Sequence, residues 1–367
     1  MRLCLIVPGG VDRSGTRRVM PFIVALIERL ARRHDVQVIA LFQEPRPCTY
    51  PLRGATVHNI GRGRTAWRAL RRIRSLHAER RFDVLHAIWA SPAGVLGAVA
   101  SRMLRRPLAV HLLGGELVAL RDIDYGEQRT TRGRLRVRLA LSVARRITAQ
   151  SEPIRQLAAM RGYAAERLPL GIDLGAWPPL PPRPRRPGQP LRLVHVASIN
   201  AVKDPFTLVR AASLLARDGV DFTLEVIGED TLGGAVQNTV RLAGLSDRIT
   251  FHGFLEQAAL RPFVERAHVL VMCSRHEAGP AVLLEAAAVG VPTVGTDVGH
   301  IREFSPDAAV AVPVGDAAAL ARAIHALVDN DEQRVAIAAL AAARATAEDA
   351  DWTAHRFETL YREMMHA

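Results

Sequence analysis

The chain has 367 residues, of which 49% are hydrophobic and 23% charged, so it is predicted to be a soluble two-domain α/β protein rather than a disordered chain. Three scattered cysteines, Cys4, Cys48 and Cys273, indicate reduced thiols in a cytoplasmic protein. No apolar run is long enough for a signal-peptide core or a membrane span.

The net charge of +13 is concentrated in the first half of the chain. Residues 1–177 carry 31 arginines and 13 acidic residues, whereas residues 178–367 carry 18 basic and 23 acidic residues. A basic half predicts contact with an anionic membrane surface, phosphorylated substrates or nucleic acid, and the alternative is a solvated arginine face without a partner. The arginine runs lack interleaved aromatic residues and no nucleic-acid-binding motif is present, so nucleic acid is not expected.

The first half alternates predicted strands with predicted helices. Strands are predicted at RLCLIV, DVQVIALF, FDVLHAIW, PLAVHLL and RITAQS, and amphipathic helices at VMPFIVALIERLARRH and RLRVRLALSVARR. This order is typical of βαβ units and predicts a parallel sheet with helices on both faces, in a domain spanning residues 1–177.

A proline-rich segment, PPLPPRPRRPGQP at residues 178–190, breaks this pattern and is predicted to be the interdomain linker. Strands and helices resume at LRLVHVASI in a second domain, residues 191–350, followed by a helix within residues 351–367. Two doubly wound domains of this kind bind ligands in a cleft at the carboxyl ends of their strands.

The segment from residue 274 to 304 carries two glutamates with the spacing E-x7-E. Glu277 and Glu285 would point about 80° apart on one continuous helix, so they serve one site if Glu277 precedes the helix and Glu285 lies in its second turn. Pro280 suits the first helical position and Gly279 permits close approach of a ligand to the backbone. Free N–H groups at such a helix start suit a diphosphate, although an unrelated pair of surface glutamates is the alternative.

The E-x7-E pattern with the following EAxAxGxPxVxTxxG resembles the donor-site motif of family 4 glycosyltransferases. Other segments of the chain match in the same order: PGGVDRSG, DVLHAIW, SEPIRQL…LPLGIDLGAW, ASINAVKD, VIGE, LSDRITFHGF and W…LYREM. The resemblance implies the GT-B architecture, in which two Rossmann-like domains face each other across a cleft and a C-terminal helix crosses back to the first domain. It also implies that a sugar moves from a nucleotide-diphosphate sugar to an acceptor hydroxyl, with retention of configuration and without a metal or cofactor.

Roles for single residues follow from the same resemblance. Lys203, the only lysine of the chain, matches the lysine that neutralises the donor diphosphate. Glu285 matches the residue that binds the ribose hydroxyls, and Glu277 the one that contacts the sugar ring. The other residues implied to border the diphosphate, sugar or base are Gly228, Gly253, Phe254, Gly279, Pro280 and Ala281.

Ser198 occupies the position where the family pattern has an arginine, so one of the two usual positive charges is missing. The candidates to replace it follow the first glycine loop: Arg13, Arg17 and Arg18. That loop is expected to close on the donor phosphates or the acceptor, the alternative being a plain tight turn, and its glycines are Gly9, Gly10 and Gly15.

Two further patterns carry weaker predictions. In HLLGGEL, Leu113 occupies the position where the family has a histidine, and His111 lies two residues upstream, so a role for His111 is not expected. His86 is another polar residue in a predicted strand and is expected to be structural. Asp122 and Asp124 resemble the metal-binding DxD of another glycosyltransferase fold, but their polar loop makes metal binding improbable.

The sequence therefore predicts a cytoplasmic glycosyltransferase at a membrane surface. Its first domain would bind a glycan or lipid-linked acceptor of the cell envelope and face the anionic leaflet. The alternatives are a nucleotide-sugar epimerase of the same architecture and a non-catalytic nucleotide-sugar binder.

Overall fold

The computed structural model describes residues 1–186 and 188–366. Pro187, inside the predicted linker, and Ala367, at the end of the predicted C-terminal segment, lie outside the described residues. The chain forms two compact units, Met1–Asp173 with the segment from Glu348 onward, and Leu174–Ala347.

The first unit alternates strands and helices around one sheet. Its elements in chain order are β1 (Arg2–Val7), α1 (Pro21–Ala31), β2 (Asp35–Ala40), β3 (Cys48–Leu52), β4 (Ala55–Asn59), α2 (Thr65–Glu79), β5 (Val84–Ile88), α3 (Val95–Leu104), β6 (Leu108–Leu112), α4 (Thr131–Val143), β7 (Arg146–Ala149), α5 (Glu152–Ala159) and β8 (Glu166–Arg167). The strand order is β3-β4-β2-β1-β5-β6-β7-β8, and every pair is parallel except β3 with β4. Because helices cover the sheet, β1 is buried along its whole length.

The hairpin of β3 and β4 was not predicted from the sequence. These strands are five residues each, β3 contains Pro51, and Gly54 sits in the turn at φ 86°. Proline is tolerated in a sheet on an edge strand, and β3, which contains Pro51, lies at the edge of this sheet.

The second unit repeats the alternation in a six-stranded parallel sheet. Its elements are β9 (Leu191–Val196), α6 (Pro205–Arg217), β10 (Phe222–Ile227), α7 (Ala235–Leu242), β11 (Ile249–Gly253), α8 (Gln257–Arg266), β12 (Val269–Met272), α9 (Ala281–Ala288), β13 (Thr293–Thr296), α10 (Gly299–Phe304), β14 (Val310–Val312), α11 (Ala317–Asp329) and α12 (Asp331–Ala347). The strand order is β11-β10-β9-β12-β13-β14. The chain therefore crosses from one side of β9 to the other after β11. The neighbouring strands β9 and β12 flank the topological switch point, where doubly wound sheets bind ligands.

The proline-rich segment packs within the second unit, and the division between units falls before it, after Asp173. The Leu180 amide donates to the Ala288 carbonyl at 2.9 Å. Gly290 has φ 75°, and a Cβ there would lie 2.6 Å from the nitrogen of Pro182. These contacts hold residues 180–182 against the end of α9.

The last helix, α13 (Ala350–His366), belongs to the first unit and packs against α1. The Thr353 hydroxyl donates to the Pro169 carbonyl and accepts from the Gly171 amide, both at 2.9 Å. In the core, the hydroxyl of Tyr361 lies 2.7 Å from Nδ1 of His86, and both residues are buried. Burial lowers the pKa of His86 to about 3, so this ring is neutral and structural.

Among the described residues, no helix is both long enough and apolar enough to span a bilayer.

We expect Tyr361→Phe to lower the free energy of unfolding by about 1–3 kcal/mol, because it leaves Nδ1 of buried His86 without its partner. Urea unfolding followed by tryptophan fluorescence measures the change. The exposed His355 on the same helix provides the control variant, His355→Ala, which should unfold like the wild type. Equal unfolding midpoints for Tyr361→Phe and wild type would contradict a stabilising role for this bond.

Candidate active site

The predicted donor-binding residues gather at the carboxyl edge of the second sheet. Lys203 lies in the loop between β9 and α6, Glu277 in the loop between β12 and α9, and Glu285 in the second turn of α9. Because β9 and β12 are parallel neighbours, these loops leave the sheet at the same edge and lie side by side.

Lys203 and Glu277 form an ion pair in which Nζ lies 2.5 Å from Oε1. The Ser274 hydroxyl donates to the same oxygen at 2.6 Å. The side chain of Glu277 is 9% exposed and that of Lys203 is 23% exposed, so the pair is mostly withdrawn from water. Such a charge-assisted contact fixes the ammonium group at one point.

The loop of Lys203 is also held through its backbone. The amide of Lys203 lies 3.1 Å from both the carbonyl and the side-chain oxygen of Asn200, and its carbonyl accepts from the Cys273 thiol at 3.1 Å. The amide of Arg275 donates to the Val202 carbonyl at 2.8 Å, which joins the loops after β9 and β12. Asp204 then takes a left-handed conformation, φ 45°, and its side chain caps α6.

Glu285 occupies a different electrostatic environment. Its side chain is buried, and burial raises its pKa to about 7. The Gln257 amide donates to its Oε1 at 3.0 Å and lowers the pKa only in part. The indole of Trp177, which is fully buried, also lowers the pKa of Glu285. Its N–H group makes no hydrogen bond of ordinary geometry to a described residue.

The start of α9 differs slightly from the prediction. Helical conformation begins at Ala281, and Pro280 precedes it with an extended backbone, φ −67° and ψ 125°, rather than occupying the first helical position. Gly279 lies in the preceding loop beside Glu277. Gly299 packs against the Glu277 loop with φ 50°. A Cβ there would lie 2.9 Å from the Glu277 carbonyl oxygen, so this position favours glycine.

The remaining predicted donor residues follow β9, β10 and β11. Ser198 is exposed just after β9. Gly228 follows β10 with φ 154°, where a Cβ would collide with the Ala197 carbonyl oxygen, and its amide donates to the carbonyl of Gly253 at 2.8 Å. Phe254, next to Gly253, is 61% exposed and its ring is available as an apolar face beside the site.

Three residues of this site were not predicted: Ser274, Gln257 and Trp177. Ser274 stands three residues before Glu277, a spacing that a loop places within reach but that carries no motif. Gln257 begins α8 and Trp177 precedes the proline-rich segment, so only the tertiary fold brings them to Glu285.

The predicted loop of the first unit follows β1 at the carboxyl edge of its sheet. Gly10 and Gly15 have positive φ of 79° and 70°, whereas Gly9 does not. Val11 and Val19 form an antiparallel bridge that closes the loop. The amide of Arg17 donates to the Ser14 hydroxyl at 2.9 Å.

Arg18, one of the three candidates for the cation missing at Ser198, lies beside two carboxylates. Its guanidinium lies 2.5 Å from both Asp12 and Glu44, which together balance it. Arg13 stacks over the ring of Tyr50 at 5.3 Å. Two carboxylates beside Arg18 make it a poor replacement for the cation missing at Ser198.

His111 and Asp124 of the DxD-like pair both have partners within the first unit. Nδ1 of His111 lies 2.8 Å from the Thr148 hydroxyl and burial lowers its pKa to about 4, so it is a neutral core residue. Asp124 forms an ion pair with Arg129. Among the described residues, no group of three or more His, Cys, Asp or Glu side chains is arranged to hold a metal ion.

Comparison with known proteins gives matches over both units. The family model described as "Glycosyl transferase 4-like domain" matches residues 19–171, and that described as "Glycosyl transferases group 1" matches residues 180–344.

Two curated relatives have the name D-inositol 3-phosphate glycosyltransferase. The protein of Arthrobacter sp. is 30% identical over 72% of this chain and 66% of the relative, and that of Pseudarthrobacter chlorophenolicus is 27% identical over 98% and 92%.

Solved structures with the same fold cover the whole chain. Sucrose-phosphate synthase from Thermosynechococcus elongatus is 18% identical with a TM-score of 0.81, and each chain is covered completely. Anabaena HepE in complex with UDP-glucose is 18% identical with a TM-score of 0.76, over 98% of this chain and 99% of that one. The chain is a glycosyltransferase of GT-B architecture and belongs to the family of group 1, family 4-like glycosyltransferases.

Proposed function

We propose that the protein transfers a sugar from a nucleotide-diphosphate sugar to an acceptor hydroxyl of a cell-envelope polysaccharide, glycolipid or related glycan, with retention of configuration. The observation that carries this proposal is the ion pair of Lys203 and Glu277 at the carboxyl edge of the second sheet. One cation and one carboxylate in contact match the two chemistries of such a donor, an anionic diphosphate and a neutral polyol. The UDP-glucose in the HepE structure supports a donor of this class.

In this proposal Lys203 neutralises the leaving diphosphate. As the bond between the sugar and the phosphate oxygen breaks, negative charge develops on that oxygen, and a fixed ammonium stabilises it. The acceptor oxygen then bonds to the anomeric carbon on the face that the diphosphate leaves, and the departing phosphate oxygen takes the acceptor proton. The step requires no nucleophile from the protein and no metal.

The two glutamates divide the rest of the donor between them. A carboxylate accepts two hydrogen bonds from a vicinal diol, so Glu285 would bind the ribose and Glu277 the sugar hydroxyls. Gly279 precedes α9 and Ala281 begins its first turn, where amide groups without helical partners would face the diphosphate. Phe254, Gly253 and Gly228 would border the base.

The acceptor would lie at an anionic membrane surface on the cytoplasmic side. Helix α2 packs against α3 and α3 against α4, so the three helices form one layer of the first unit. The layer has nine arginines and a single glutamate, Glu79. Large apolar side chains are exposed on the same helices, namely Trp67, Val99, Met103, Leu135 and Leu139.

This combination of charge and exposed apolar area fits a lipid surface better than solvent. Each arginine near an anionic leaflet contributes about 1 kcal/mol, and the exposed apolar side chains would enter the headgroup region. Trp67 is 58% exposed with Arg71 stacked on it at 5.4 Å, a pairing suited to the interface.

We expect Lys203→Ala to lower the turnover number about 10²–10³-fold, because the leaving oxygen loses its fixed cation. Release of nucleoside diphosphate measures the rate, with the nucleotide sugar that most raises the melting temperature as donor. Arg217→Ala, an exposed arginine of α6, is the matched control and should keep wild-type turnover. Wild-type turnover in Lys203→Ala would refute the leaving-group role.

We expect Glu285→Gln to stabilise the unliganded protein at pH 8 and to raise the Michaelis constant for the donor. The pKa of Glu285 is raised from 4.5 to about 7, so its burial costs stability as pH rises from 4.5 through 7, up to about 3 kcal/mol. Gln removes that cost but offers one acceptor instead of two for the ribose diol.

Melting temperatures and donor saturation curves at pH 5 and pH 8 measure the two effects. Glu225→Gln, at a half-buried carboxylate within β10, is the control and should leave the donor Michaelis constant unchanged. A Glu285→Gln protein with unchanged donor affinity would contradict ribose binding by Glu285.

We expect the protein to sediment with vesicles containing phosphatidylglycerol at low salt, to be released by added salt, and to ignore pure phosphatidylcholine. A Trp67→Ser, Leu135→Ser double variant should bind several-fold less, whereas Leu242→Ser, an exposed leucine of the second unit, should bind like the wild type. No sedimentation with anionic vesicles would leave the arginine layer as solvated surface.

A further inference from the structure

The second unit has a cavity of about 380 Å³ at the edge of its sheet opposite to Lys203 and the two glutamates. Its floor is formed where β9, β12 and β13 begin, and α8 and α9 end beside it. The proline-rich segment forms one wall. No role has been assigned to this cavity in the donor chemistry.

The lining is unusually basic. Its charged side chains are one glutamate, Glu265, and five arginines: Arg183, Arg186, Arg192, Arg266 and Arg334. Two of these charges are balanced locally, since Glu265 pairs with Arg261 at 2.5 Å and Arg334 with Asp331 at 2.7 Å.

The other four arginines have no carboxylate partner among the described residues. Arg192 donates to the Arg266 carbonyl at 2.6 Å, which caps α8, and Arg266 stacks over Phe263 at 5.0 Å. The guanidinium groups of Arg183 and Arg186 make no hydrogen bond to a described residue. Four positive charges around one cavity therefore remain unbalanced within this part of the structure.

The electrostatic consequence is seen at neighbouring groups. Burial, followed by repulsion from Arg266, lowers the pKa of Arg192. Burial and the charges of Arg192, Arg334 and Arg185 lower the pKa of His268 to about 4, so this histidine is neutral and adds no charge. Like charges therefore lie together here without a counterion among the described residues.

The proline-rich wall of the cavity is held in place by hydrogen bonds and by close packing. Arg334 is 2% exposed and donates to the Arg183 carbonyl at 2.6 Å and to the His268 carbonyl at 3.3 Å. The close approach of Gly290 to Pro182 holds the same wall from the other side. The segment that carries Arg183 and Arg186 is thus tied to the body of the unit.

We propose that this cavity binds a small anion carrying more than one phosphate group, as a site separate from the donor site. Guanidinium groups recognise phosphate oxygens through paired N–H donors, and four of them converge on a cavity large enough for a diphosphate. Binding would relieve the repulsion between Arg192 and Arg266 and so stabilise the second unit.

Calorimetric titration with inorganic pyrophosphate tests the proposal on the full-length Lys203→Ala protein, in which the donor site is weakened. We expect saturable binding that Arg186→Gln with Arg266→Gln weakens about tenfold or more for each guanidinium removed, and that added salt also weakens. Both arginines are exposed, so the double variant should fold normally. Its melting temperature without pyrophosphate provides the check on folding.

Arg241→Gln, an exposed arginine of α7, is the matched control and should bind pyrophosphate like the parent protein. Absence of binding to the Lys203→Ala protein would overturn the proposal. The proposal would also be overturned if the double variant bound pyrophosphate as tightly as Arg241→Gln does. The attraction would then be a property of the general surface charge and not of this cavity.

Discussion

The parallel pairing of β9 with β12 is the constraint on which the donor-side geometry depends. The sheet is extended from β9 in one direction by β10 and β11 and in the other by β12, β13 and β14. Their connecting helices consequently leave a gap at the carboxyl ends of β9 and β12, and the loops that follow both strands enter it. Lys203 and Glu277 are 74 positions apart in sequence, yet this pairing brings their charged atoms to 2.5 Å.

Inside that gap, the fold gives two glutamates of one motif opposite electrostatic conditions. Glu277 lies beside the ammonium group of Lys203 and accepts a hydrogen bond from the Ser274 hydroxyl. Glu285, eight residues later and on a helix, is surrounded by apolar groups, Gln257 and an indole, and its pKa rises to about 7. One carboxylate lies in an ion pair and the other is buried with an amide as its hydrogen-bond donor, so the same residue type can serve two purposes.

Much of this arrangement could be predicted from the sequence. The alternation of apolar strands and helices gave both parallel sheets, and E-x7-E gave the positions of Glu277 and Glu285 relative to α9. The edge hairpin was missed because Pro51 and Gly54 imitate a loop, and β8 and β14 were missed because strands of two and three residues have no period to detect. Ser274, Gln257 and Trp177 could not be assigned, since each reaches its glutamate only through tertiary packing. The charge balance of Arg18 was also hidden, because Glu44 lies 26 positions away.

The contact of Lys203 with Glu277 also bears on how a catalytic cycle ends. In the structure Lys203 and Glu277 neutralise each other, so a donor that binds both residues as proposed would have to separate them. A ligand with both an anionic diphosphate and sugar hydroxyls provides a new partner for each charge. A nucleoside diphosphate that has lost its sugar provides one for Lys203 alone and leaves Glu277 buried without a counterion, which is costly. The re-forming ion pair would then compete with the spent nucleotide for the lysine, so that the site's own carboxylate drives product release.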